Sequence, residues 1–132
     1  MADDRYIEGT KIRRAVLGDA HVDRAVALTT DFDADFQRLI TENVWHDVWG
    51  RPGLERPTRS LLTIVILAAL GHHHELALHL RATANTGATM EEVKEALLHV
   101  AMYAGIPAAN RAFAIAKEVY AEIDAAPAEA AP

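Results

Sequence analysis

The chain has 132 residues, with 13 basic and 19 acidic side chains, a net charge of -6 with histidine neutral, and no cysteine. That length suits one domain with a real core. The acidic balance argues against nucleic acid, whose binders need a basic face, and against anionic membranes, while the missing thiols exclude disulfides, thiolate metal sites and thiol redox chemistry.

The opening MADDRYIEGTKIRR lacks the apolar run of a signal peptide. The most apolar stretch, SLLTIVILAALG, falls short of the ~20 residues of a membrane-spanning helix. A cytoplasmic protein is therefore expected. DAHVDRAVAL reads as a short first helix with Asp19 as its N-cap. From Asp33 to Trp49, Phe36, Ile40, Val44 and Val48 recur four apart and predict a helical stripe. GRPG at 50–53 ends that helix, because proline and glycine both break one. Pro57 suits the first turn of the next, which runs through Ser60 to about Leu70 and is apolar on nearly every side. Such a helix is usually buried all round, and in so small a domain this points to neighbouring copies of the chain. Gly71 predicts a break, and a further helix closes at Gly87. Thr89 with Glu92 reads as a capping box opening a helix to about Tyr103. A last helix after Gly105-Ile106-Pro107 reaches about Ile123. The expectation is an all-α domain of about six helices over residues 1–124, followed by a disordered Ala/Pro tail, AAPAEAAP, at 125–132.

GHHHELALH, Gly71 to His79, holds four of the chain's seven histidines around one glutamate. On a helix His72, Glu75 and His79 share a face, whereas His73 and His74 point elsewhere. Two imidazoles and a carboxylate suit a metal, although one helix supplies an incomplete ligand set. Glu75 and His79, at i and i+4, also suit acid–base work, the carboxylate fixing the imidazole's tautomer and raising its pKa. A solvated or interface face with a modest ion pair is the third reading. Elsewhere, Arg59 and Ser60 open the apolar helix, and the planar fork of Arg59 suits a carboxylate as well as a surface ion pair. Arg51 lies in a loop able to cover a pocket. Trp45 with Trp49, and His99 with Tyr103, are pairs four apart of the kind that build cores or subunit contacts.

DVWGRPGL (47–54), TRSLLTIVILAALG (58–71), HELALHLRATANTGAT (74–89) and LLHVAMYAGIPAANRAF (97–113), read together, resemble the 4-carboxymuconolactone decarboxylases of protocatechuate breakdown. The resemblance runs from about Tyr6 to Glu122, and VLGDAHVDRA, with its His21, fits the same family. It implies the alkylhydroperoxidase-like helical fold, assembled as homo-trimers or homo-hexamers. The peroxidase branch of that fold carries Cys-x-x-Cys-x-x-x-His. Aligned on His79, its cysteines fall on His72 and Glu75, and its upstream glutamate on Ser60. Peroxidase chemistry by that route is thereby excluded. The resemblance implies arginine at the position where this chain has His72, a departure from the family's pattern.

The resemblance further implies a butenolide substrate bearing a carboxylate and an acetate arm on its ring γ-carbon, within the β-ketoadipate pathway. Loss of CO2 drives electrons through the conjugated C=C into the lactone carbonyl. The lactone is its own electron sink, and neither metal nor organic cofactor is required. On this reading His79 donates the proton with Glu75 orienting it, and the sequence does not order those two roles. Arg59, Arg51 and His72, with Ser60 beside them, face the acetate arm or the lactone oxygen, and Trp45, Trp49 and Tyr103 supply walls. The alternative is a metal-binding or non-catalytic helical oligomer that uses the His72/Glu75/His79 face.

Overall fold

The computed structural model describes residues 2–125, and among them it is all-α, with seven α-helices, one π-helical run and no strand. In chain order these are α1 (Ala2–Leu17), α2 (Asp19–Leu28), α3 (Ala34–Ile40) continuing into a π run (Thr41–Trp49), α4 (Arg56–Leu70), α5 (His73–Thr86), α6 (Met90–Tyr103) and α7 (Ile106–Ala125). The breaks fall where the turn chemistry put them. Gly71 and Gly87 close α4 and α5 in the left-handed region, at φ 75° and 89°, where a side chain is strained. Pro57 sits in the first turn of α4. Thr89 Oγ1 accepts from the Glu92 N–H at 3.1 Å while Glu92 accepts from the Thr89 N–H at 2.9 Å, completing the capping box. At α2 the cap is Gly18, at φ 92°, rather than Asp19, which instead pairs with Arg14. Ala125 closes α7, and the rest of the expected tail lies outside the described residues.

One helix escapes the sequence pattern altogether. α1 is charge-rich with Gly9 at its middle, and its buried stripe is thin: Gly9 and Val16, with Ile12 and Arg13 partly covered. What holds it is the π run lying across it. A β-carbon on Gly9 would run into the carbonyl of Thr41, so the two backbones touch there because residue 9 has no side chain. Arg5 grips the same partner, pairing through both Nε and Nη2 with the carboxylate of Asp47, which His46 also contacts at 2.7 Å.

Two apolar groups divide the interior. The larger, including Ile64, Leu76, Leu80, Leu97 and Val119, fills the space among α4, α5, α6 and α7. The smaller joins Val16 of α1, Trp45 and Trp49 of the π run, and Ala82 of α5. α5 thus serves both, one face to each. The expected Phe36/Ile40/Val44/Val48 stripe is not the buried one: Phe36, Val44 and Val48 are exposed, and Thr41, Trp45 and Trp49 go inward instead. Two indoles bury far more area than two valines, and that decides the rotation of the segment. Nor is α4 covered on every side. It buries Ser60, Ile64 and Ala68 and leaves Leu62, Ile66 and Leu70 in a row on the surface.

Candidate active site

His79 lies on the face of α5 that also carries Ala82, and so points toward the smaller core. Its imidazole is partly buried and stacks against both indoles, with centroids 6.2 Å from Trp45 (13° between planes) and 6.2 Å from Trp49 (25°). The indoles are themselves 5.2 Å apart and tilted, so the three rings form one aromatic wall. Nδ1 of His79 is sealed from solvent and has no hydrogen-bond partner. A buried polar atom without a partner costs free energy, which makes it a candidate for a bound group to satisfy.

The α1–α2 corner carries His21. Asn85 of α5 donates to the Val16 carbonyl at 2.9 Å, fixing the corner to the helix that carries His79. Arg14 holds α2 through Asp19 at 3.1 Å and Asp23 at 2.9 Å. His21 is close enough for its charge to act on His79.

Burial pushes the His79 imidazole down to about 4, His21 adds to the effect, and the Glu75 carboxylate opposes it. This reverses the sequence expectation. The i,i+4 carboxylate does favour the charged ring, but desolvation against two indoles outweighs it. No hydrogen bond joins Glu75 to His79 among the described residues, and Glu75 is exposed. Desolvation thus favours the neutral form of the His79 imidazole near pH 7. The His21 ring is lowered as well, by burial first and then by Arg13, Arg24 and His74.

The shielding of His79 makes folding pH-dependent. The unfolded chain binds a proton on this histidine near its usual 6.5, whereas the folded chain resists it until about 4. The contribution is complete above pH 6.5 and is lost as pH falls from there toward 4, amounting to about 3 kcal/mol at most. Chemical unfolding at pH 7.5 and 4.5, at fixed protein concentration, is expected to show the wild type losing more stability on acidification than His79→Gln. Equal losses would rule the effect out.

The remaining residues picked from the sequence are scattered. His72 is exposed at the N-cap of α5, and His73 and His74 are exposed beside it. Ser60 is fully buried, and its Oγ has no partner. Arg59 is half-buried and donates to the Arg51 carbonyl at 3.0 Å, pinning the GRPG loop, while the side chain of Arg51 is exposed. Tyr103 is 88% exposed and stacks on His99 at 6.2 Å, on a surface made by α4 and α6 with Val65 and Ile66. Among the described residues no three His, Asp or Glu side chains gather closely enough to hold a metal ion, those of the His72/Glu75/His79 face included. Helical spacing around His79 does not point to Arg13 or His21. The only available signal was His21 within VLGDAHVDRA, and nothing in the local pattern shows that α1 buries Arg13.

Fold and site together define a small all-helical protein with a partly buried imidazole on an aromatic wall, in a chain without thiols. A family model described as the carboxymuconolactone decarboxylase family matches residues 34–118. The chain belongs to that family. It is 48% identical over 125 residues to a 4-carboxymuconolactone decarboxylase of Acinetobacter baylyi, covering 95% of this chain and 93% of that protein. It is also 42% identical over 113 residues to a nitrosuccinic acid decarboxylase of Metarhizium robertsii, covering 86% and 79%. A 4-carboxymuconolactone decarboxylase of Pseudomonas putida matches 43 residues at 51% identity, 33% of this chain and 90% of that one.

Proposed function

We propose that this protein decarboxylates 4-carboxymuconolactone to 3-oxoadipate enol-lactone in protocatechuate catabolism. The observation that carries the reading is the nearly end-to-end match to a decarboxylase of that name. The reaction suits a site of rings and few charges. The C–CO2 bond breaks and its electron pair moves through the C=C into the lactone carbonyl, giving a dienolate and CO2. A proton then adds at the α-carbon. The substrate named for the fungal relative, nitrosuccinic acid, likewise sets a carboxyl beside a group, nitro, that accepts the electron pair. Neither sink needs a cofactor.

In this mechanism His79 delivers the proton. The neutral ring takes one from solvent as the dianionic substrate arrives, because two carboxylates beside a shielded imidazole favour its charged form. It returns that proton to the α-carbon and is neutral again as product leaves. Trp45 and Trp49 keep water from the dienolate. Arg59, Arg51, His72 and Ser60 are binding candidates near the GRPG loop and the start of α5. The exposed row Leu62, Ile66 and Leu70, with Leu98 and Met102 of α6, supports a homo-trimer or homo-hexamer, since apolar surface on this scale marks an interface. Tyr103 then joins a site from a neighbouring copy. A cytoplasmic setting belongs to the same reading.

The test is turnover. Protein isolated as three or six copies by light scattering is expected to consume 4-carboxymuconolactone at the same rate with and without a chelator. No turnover by the folded oligomer would refute the assignment, and loss of rate on chelation would refute the cofactor-free route.

A further inference from the structure

The turn between α2 and α3 holds a phenylalanine out in solvent. Phe32 is 97% exposed, and Leu28 and Phe36 in the same corner are exposed as well. The turn is nevertheless fixed. Asp33 Oδ1 accepts from the Thr30 N–H at 2.8 Å, and Thr30 Oγ1 accepts from the Phe32 N–H at 3.3 Å. The Thr30 carbonyl accepts from the N–H groups of Asp33 at 3.2 Å and Ala34 at 2.9 Å. Phe32 therefore adds nothing to this chain's own core, yet its backbone is already ordered. An apolar ring on a prebuilt turn has the form of an interface anchor, because the ordering cost of docking it is met in advance. Asp31 and Asp33 flank the ring, and Asp31 has no cationic partner among the described residues.

A groove of matching size and charge lies between α6 and α7. It encloses a cavity of about 190 Å³ walled by Met90, Val93, Leu97 and Phe113, and the charged residues that line it are Lys94 and Lys117. That is below the ~300–1,000 Å³ of small-molecule sites and suits one inserted side chain instead. Lys94 is shared with Glu91 at 2.6 Å, while Lys117 has no carboxylate partner among the described residues. The turn is acidic around an aromatic ring, and the groove is basic around an apolar floor. Against a second copy of itself the turn would meet like charge, which disfavours a contact of turn with turn. At a net charge of -6, copies of the chain repel at long range, and a local pairing of opposite charge offsets that where they meet.

We propose that the α2–α3 turn of one copy of the chain docks in the α6–α7 groove of a second copy, with Phe32 entering the cavity and Asp31 and Asp33 meeting Lys117 and Lys94. α2 packs on α1 and α3 on the π run, whereas the groove belongs to α6 and α7, so turn and groove are separate parts of one chain. Each copy gives a turn and receives one, the head-to-tail kind of contact that builds rings. The groove is made of other residues than the α4–α6 row. The inference deepens the homo-oligomeric reading above and does not rest on the reaction.

The test is the assembly of the full chain, followed by analytical ultracentrifugation over a range of concentrations, with circular dichroism as the check on folding. Because Phe32 lies outside the core, Phe32→Ala should fold as the wild type does while raising the dissociation constant of the assembly about 10- to 100-fold. Lys117→Glu should raise it about 3- to 10-fold, and adding Asp31→Lys to that variant should restore most of the loss. Rescue by the exchanged pair is a readout that a general loss of stability does not give. Unchanged dissociation for either single variant, or no rescue in the double one, overturns the proposal. A monomeric wild type overturns it together with the homo-oligomeric reading and leaves the groove to a different partner. An assembled wild type indifferent to Phe32→Ala overturns this contact alone.

Discussion

Replacing His79 with glutamine is expected to lower kcat by about two to four orders of magnitude while KM changes little, the amount a positioned proton donor contributes. The expectation rests on isolation as much as on identity. Stacked on two indoles, with Nδ1 unpartnered, His79 makes no side-chain hydrogen bond among the described residues whose loss would explain a fall in activity. Glutamine keeps much of the ring's reach and loses the titrating proton together with the stacking on the indoles. Steady-state kinetics from pH 5 to 9 provide the check. Because the free site holds the imidazole near 4, kcat/KM should still be rising as pH falls through 6, whereas kcat, which reports the occupied site, should titrate higher. Glu75→Gln removes only a charge that favours the imidazolium, so its effect should be the smaller of the two. The reverse ranking would make Glu75 the donor, and a near-wild-type kcat for His79→Gln would remove that residue from the chemistry.

The second large effect is on stability. Trp45 is 4% exposed, packs on Val16 and Ala82, and touches both Trp49 and His79. Trp45→Ala should cost about 3–5 kcal/mol, enough to lower Tm by something on the order of 10–20 °C. It should also let water reach His79, so that an NMR titration finds the imidazole moved up toward its ordinary range. Trp45→Phe, which keeps a ring in place, should do much less of both. A Tm within a degree or two of wild type for the alanine variant would show that the wall is not what shields His79.

How far the sequence reveals all this depends on where each signal resides. Helix ends were legible because they rest on local rules: Gly71 and Gly87 need a left-handed backbone, and Thr89 and Glu92 cap each other within four residues. Choosing His79 needed only helical spacing and the aligned family motif. What it does there was not legible, because its pKa is set by Trp45, Trp49 and His21, which lie 34, 30 and 58 positions away. α1 was missed for a similar reason. Its few buried positions make sense only once the π run lies across Gly9, a contact that no periodicity within α1 encodes. The stripe in 33–49 was misassigned because two apolar rows four apart compete in the same segment, and burial of the indoles chose between them.

The π run has one more implication, for how such a segment tolerates a change in length. A π winding takes more residues per turn than an α-helix, so side chains four apart come round closer to the same direction, and Thr41, Trp45 and Trp49 remain on one buried line. Losing one residue between Thr41 and Trp49 would let the segment relax to an α-helix and swing one indole off that line, while leaving the flanking helices intact. Related chains that differ by one residue here would keep the same scaffold and present a different wall to His79. The length of this one segment would thus set which ring faces His79.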